Sequence, residues 1–331
     1  MTNAWLLPPG SRLASARVLR RLYERPTASV YLCEDRVTTE LLVVKHARPR
    51  ESSDAGYGSA RRVVVDLHGD APPMELFMAE DTIEQECKVA HQLQDGGGHP
   101  NVVRYLDICA PSPATSEHKL PTAQEHFLVM EYCANGDLFT MLERQDDSRF
   151  DETTALYFFH QIVQGLQHLH QMGIAHRDIS LENVLLDAQW QAKLCDFALS
   201  TSTDQDCREC VGKLHYMAPE VLDGLSYDPV KADMWSLGIL LFIMMTGSPL
   251  FHISAPSDPA WSALQRVGIT GILTKWGLRE QFSPVVIDLL TGMLRISPSQ
   301  RIQSLEEILD RLPALPTGSV HISQAVEGQV S

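Results

Sequence analysis

Apolar and polar positions along the chain change their period once. Residues 30–45, VYLCEDRVTTELLVVK, alternate around polar Asp35 and Arg36, which predicts two strands joined by a turn. Residues 46–75 hold RPRESSDAGYGSA and HGDAPP, a polar mixture rich in Gly and Pro that predicts a long exposed insertion over 46–80. EDTIEQECKVAHQL at 80–93 reads as a helix, 101–107 as a short strand, 110–123 as a Pro/Ser/Thr loop and HFLVMEY at 126–132 as a buried strand. From residue 136 the period becomes 3.6, and Phe158, Ile162, Leu166 and Leu169 share one face of a long helix. Further helical segments follow to about residue 312. The predicted fold class is α+β, a strand-rich N-terminal part before a mostly helical C-terminal part, with the change near residue 133. Residues 1–10 read as a flexible lead-in and 313–331 as a disordered tail.

Composition narrows the function classes. Of 331 residues, 44% are hydrophobic and 21% charged, ordinary globular usage. The formal net charge of −15 argues against nucleic acid or an anionic membrane as partner, since both select clustered Lys and Arg. Seven scattered cysteines suggest a reducing compartment, and MTNAWLLPPGSR has no pattern of a secretory leader, so a cytoplasmic or nuclear location is expected. The longest apolar run, Met234–Thr246, reads as a buried core helix.

The chemistry concentrates in IAHRDISLENVLLDAQWQAKLCDFALS. His176-Arg177-Asp178, then Asn183, then Asp196-Phe197 form an ordered set suited to phosphoryl transfer: an acid to orient a hydroxyl, then an amide and a carboxylate to hold metal. With Lys45 ending LLVVK, Glu86 in the 80–93 helix, HPNVVRY at 99–105, LVMEY at 128–132, YMAPE at 216–220, Asp233 in ADMWSLG and Arg301 in SPSQRIQ, the chain resembles the protein kinase superfamily of Ser/Thr type.

That resemblance implies a bilobal fold over 11–312, divided at 132/133. It implies a small antiparallel sheet with one helix, a hinge near 131–136 and a larger helical lobe. It implies ATP and Mg²⁺ as cofactors and protein substrates as partners, with the oligomeric state open. Lys45 would hold the α- and β-phosphates and be fixed by Glu86. Asp178 would be the catalytic base, and Asn183 and Asp196 would bind Mg²⁺. Val30, Val43, Met130, Leu185, Asp137 and the backbone of Glu131 and Cys133 would line the nucleotide site. Arg177, Phe197, Glu220, Asp233 and Arg301 would be structural or regulatory, with Glu220 and Arg301 a buried ion pair.

Four departures stand against the family pattern. The three glycine positions of the phosphate loop fall on Tyr23, Arg25 and Ala28, with Pro26 between them. Val43 replaces the alanine beside adenine, and Ala198 replaces the glycine after Asp196-Phe197. Ser180 replaces the lysine two residues after the catalytic aspartate, and Glu182 stands where tyrosine kinases put an arginine, so the motifs offer no cation for the γ-phosphate. Two readings follow: a Ser/Thr kinase, or a pseudokinase acting as scaffold or allosteric partner. Residues 134–240 carry 17 Asp and Glu against 7 Lys and Arg, and Asp137 and Glu182 fall where basophilic members take substrate arginines. Ser200, Thr201, Ser202 and Thr203 are candidate phosphosites facing Arg177. The Cys207/Cys210 pair reads as two ordinary thiols rather than a redox or zinc site.

Overall fold

Period-two alternation builds the N-terminal lobe. Its elements are β1 (Ala16–Glu24), β2 (Ala28–Asp35), β3 (Leu41–Ala47), β4 (Ala60–Val65), β5 (Met74–Ala79), α1 (Ile83–Asp95), β6 (Tyr105–Cys109) and β7 (His126–Glu131). The computed structural model describes residues 16–24, 28–47, 60–65, 74–79, 82–109 and 126–313. Five strands form an antiparallel sheet in the order β1-β2-β3-β7-β6. The turn from β2 to β3 is set by Asp35, whose Oδ1 accepts the Val37 N–H at 2.8 Å, with Thr39 at φ 61°.

Register assigns the two faces of this sheet. Val30 lies opposite Lys45, Lys45 opposite Leu128, and Val43 opposite Met130, so these side chains share one face. Cys33, Leu42, Val44, Cys109, Phe127 and Val129 share the other and pack into a small core of their own. The predicted insertion is not featureless: β4 and β5 pair as an antiparallel ribbon, Ala60 opposite Ala79. The predicted strand at 101–107 starts later, at Tyr105, because Asn101 to Val103 instead bond across to the C-terminal lobe through Leu194. The lead-in 1–10, the loop 110–123 and the tail beyond 313 lie outside the described residues.

The C-terminal lobe contains α2 (Leu138–Glu143), α3 (Glu152–Gln171), β8 (Ile174–Ala175), β9 (Val184–Leu186), β10 (Ala192–Leu194), β11 (Thr201–Ser202), α4 (Pro219–Leu222), α5 (Pro229–Thr246), α6 (Pro259–Lys275), α7 (Pro284–Met293) and α8 (Leu305–Arg311). Helix starts follow local chemistry. Asp151, Asp228, Asp258, Ser283 and Ser304 cap α3, α5, α6, α7 and α8, and proline opens α5, α6 and α7.

Helix α5 is apolar all round. It is 18 residues long, more than the run Met234–Thr246, and meets the length and composition of a membrane span, yet 78% of it is buried inside the protein. Met234, Trp235, Leu237, Ile239, Leu240, Leu241 and Met244 are fully buried, the centre of one core that also takes in α3, α7 and the inner face of α1. On α1 the buried positions Glu86, Val89, Ala90 and Leu93 repeat at i, i+3, i+4 and i+7. This stripe seats α1 between the sheet and the C-terminal lobe, with Glu86 turned inward.

Candidate active site

Three elements from distant parts of the chain meet at Lys45. Its Nζ donates to Glu86 Oε2 at 2.6 Å and to Asp196 Oδ1 at 2.9 Å, joining β3, α1 and the segment after β10. Tyr105 donates its hydroxyl to the other Glu86 oxygen at 3.1 Å. Burial opposes the charge on Lys45, but the carboxylates of Asp196 and Glu86 outweigh it and hold the ammonium above its usual range. Burial raises the Glu86 carboxyl, with Lys45 pulling back.

The loop between β8 and β9 carries Asp178, Ser180 and Asn183. Its path is fixed by Asp233 on α5, fully buried, which accepts the backbone N–H groups of His176 and Arg177 at 2.8 Å each. His170 Nε2 lies 2.9 Å from the same carboxylate. This anchoring supports left-handed backbone at Arg177 (φ 62°), and Asp196 adopts the same region (φ 64°); each costs of order 1 kcal/mol in a non-glycine residue. Phe197 is buried between Tyr105 and His176, ring centres 6.2 and 5.3 Å away. Ala198 is not among the residues with positive φ, so alanine fits this turn without strain, and its carbonyl accepts the Thr82 N–H at the start of α1.

Asn183 donates through Nδ2 to the Asp178 carbonyl (2.8 Å) and to Asp178 Oδ2 (2.6 Å). That use of both amide hydrogens leaves Asn183 Oδ1 as the acceptor of the side chain. Asp178 Oδ1 is buried and has no hydrogen-bond partner among the described residues. Burial pushes the Asp178 carboxyl above the usual carboxylate range, while Lys213 and His176 pull it back. Lys213 stands after Gly212, where Ser/Thr kinases usually have threonine, and the motifs do not announce its contacts: its Nζ donates to Asp178 Oδ2 at 3.2 Å and to Ser180 Oγ at 2.6 Å. A cation therefore stands beside Asp178 after all, contributed from 35 residues downstream.

The burial pattern sets a few side chains on this face apart. Val30, Val43, Met130 and Leu185 are half-buried, whereas their strand neighbours Leu42, Val44, Val129, Val184 and Leu186 are buried. Tyr23 is half exposed at the end of β1. Arg25 and Pro26 lie outside the described residues. At the hinge, Glu131 uses its N–H on the Arg104 carbonyl and its Oε1 on the Arg104 N–H and on Lys193. No acceptor among the described residues takes the Cys133 N–H. Asp137 caps α2, both its oxygens accepting from Thr140.

Farther out, Arg301 donates to both oxygens of Glu220 at 2.5 and 2.7 Å, the predicted ion pair. Arg177 is already engaged: it donates to the Leu199 carbonyl at 2.7 Å and to Glu209 Oε2 at 3.1 Å. The expected phosphosites fit this arrangement poorly. Ser200 is buried on the Phe197 carbonyl, and Thr201 and Ser202 form β11 against β8. Cys207 and Cys210 are buried free thiols, the second pushed up to about 11 by burial, and no cluster of metal-ligating side chains occurs among the described residues.

Comparison with known proteins agrees with this geometry. A family model described as a protein kinase domain matches residues 26–311. The chain is similar to the serine/threonine-protein kinase SAPK3 of Oryza sativa subsp. indica, 38% identical over 165 residues covering 49% of this chain and 45% of that one. It is similar to serine/threonine-protein kinase SAPK2 of the same plant, 33% identical over 258 residues, with 74% and 70% covered. A third relative is the maternal embryonic leucine zipper kinase of Xenopus tropicalis, 34% identical over 189 residues, with 56% and 28% covered. The matching stretch spans less than half the length of the first of these relatives.

Proposed function

The chain belongs to the protein kinase family, and from that premise we propose that it transfers the γ-phosphoryl group of ATP to serine or threonine hydroxyls of proteins. The observation that carries the reading is Asp178: a buried carboxylate with one oxygen held by Asn183 and Lys213 and the other unpartnered. That free oxygen accepts the hydrogen of an incoming hydroxyl and points its oxygen at the γ-phosphorus. The new P–O bond forms as the bond to the β–γ bridging oxygen breaks, and ADP leaves. Lys45, fixed by Glu86, holds the α- and β-phosphates. Asn183 Oδ1 and the Asp196 carboxylate would hold Mg²⁺, which would supply neutralisation of the phosphate charge.

The competing reading, a scaffold without transfer, rests on the loop lacking glycine. Losing a charge-assisted hydrogen bond there costs about 1.5–3 kcal/mol, or roughly ten- to hundred-fold in rate. Base, cation and metal donors are all retained, and such terms are together larger, so a slow kinase is expected rather than an inert one. Millimolar Mg·ATP should raise the melting temperature by about 3 °C, from mass action at about ten times Kd. A smaller rise without Mg²⁺ and none in Lys45→Met are expected. No rise for the native chain at that concentration would decide for the scaffold.

Substrate preference follows from charge. Glu182 Oε2 is buried and unpartnered among the described residues, four residues after Asp178, in a strongly acidic stretch. A substrate guanidinium would satisfy it. Peptides with Arg preceding the acceptor should be phosphorylated at least tenfold better than Ala versions, and Glu182→Gln should remove most of the difference; equal rates on a peptide array would reject the preference. Asp137 contributes less, because the α2 cap already uses its carboxylate.

A further inference from the structure

The position of Lys213 is over-determined by backbone. Gly212 has φ +94°, and a Cβ there would lie 2.8 Å from the Arg177 carbonyl oxygen, so only glycine lets this segment press against the loop bearing Asp178. Three further hydrogen bonds brace the segment. The Lys213 carbonyl accepts the Tyr216 N–H at 2.9 Å, and the Tyr216 hydroxyl accepts the Leu181 N–H at 3.4 Å. Ser236 on α5 donates to the Tyr216 carbonyl at 2.9 Å. The ammonium thus arrives beside Asp178 on a rigid frame.

An ammonium has three hydrogens to donate. Two go to Asp178 Oδ2 and Ser180 Oγ, and the side chain remains one-third exposed. Ser180, uncharged and short, leaves room for the amine and accepts from it. We propose that Lys213 is a catalytic residue, its third N–H donating to an oxygen of the γ-phosphoryl group as that group passes to the hydroxyl held by Asp178. Charge supplied from position 213 replaces what position 180 lacks: the cation has moved to the opposite wall of the same site. A preorganised cation at the transferring group stabilises charge where it spreads in the transition state. The inference rests on the kinase reading above and assigns one more residue to that chemistry.

Three proteins test it: the native chain, Lys213→Thr, and the exchange Ser180→Lys with Lys213→Thr. Lys213→Thr should lower kcat on a protein or peptide substrate about 10²-fold, with KM for ATP changed only a few-fold. The exchange should recover at least tenfold of that loss, because it restores a cation to the site from the other wall. Binding supplies a second readout. Lys213→Thr should weaken a non-hydrolysable ATP analogue several-fold and leave ADP unchanged, since only the γ-phosphate is touched. A kcat within threefold of native for Lys213→Thr overturns the assignment. So does an exchange variant that melts like the native chain yet recovers nothing, which would make Lys213 a brace for the loop. If the native chain transfers no phosphate, the kinase reading fails on its own, and the contrast between ATP analogue and ADP still decides whether Lys213 meets the γ-phosphate.

Discussion

Asp178→Asn should lower phosphoryl transfer by at least about 10³-fold while leaving the protein folded, measured as radiolabel incorporation beside a melting curve. General-base contributions run to about 10²–10⁴-fold, and asparagine loses both the charge and the capacity to take a proton. Stability moves little. The folded carboxyl holds its proton to higher pH than the unfolded one, because burial disfavours its charge. Its contribution to stability is therefore greatest at pH below the unfolded value and is lost as pH rises toward the folded one. At neutral pH a neutral isostere removes that penalty, while Lys213, one-third exposed, turns to water. Transfer by the native chain should fall with falling pH as Asp178 takes up a proton, at a pH above the ordinary carboxylate value. An Asp178→Asn protein with native activity would remove this residue from the chemistry.

The largest stability effect is expected at the opposite end of the lobe. Glu220→Ala should destabilise the fold by about 3–5 kcal/mol and lower the melting temperature by roughly 10 °C, read by calorimetry. Arg301 is fully buried at its side chain, gives two hydrogen bonds to Glu220, and stacks 5.0 Å from the ring centre of Trp235. Its remaining hydrogens go to the carbonyls of Lys231, Arg295 and Ile296. Removing the carboxylate strands a guanidinium among neutral acceptors. Replacing both partners, Glu220→Leu with Arg301→Met, should recover most of the loss, because an apolar pair has no charge to desolvate. A fall of less than 1 kcal/mol for the single variant would mean that water reaches Arg301. The ion pair tethers α4, and with it the segment from Gly212 to Ala218, to the core around α5.

Much of this molecule was legible in one dimension. Strands β2 and β3 followed from alternation around Asp35, α3 from its 3.6-residue stripe, and α5 from an apolar run without a polar face. Lys45, Glu86, Asp178, Asn183, Asp196, Glu220 and Arg301 were named from motif order, and the pairs Lys45–Glu86 and Glu220–Arg301 are present. The ribbon β4–β5 was hidden because Gly, Pro and charge around it mask two short strands, and no periodicity survives in six residues. The partner of Arg177 was expected to be a phosphate; Glu209 takes the place, and nothing local to Glu209 marks it.

The sequence by itself determined most of the element types and the identity of the charged residues, because propensity, period and spacing act between neighbours in the chain. The fold alone decided which charges meet. Lys213 and Asp178 are 35 positions apart, and their contact depends on the backbone at Gly212 lying against the Arg177 carbonyl, a close approach that exists only once α5 and Asp233 have set the loop's path. Electrostatic neighbours are chosen by distance in space, and the cation beside Asp178 comes from a segment outside the motif that carries Asp178.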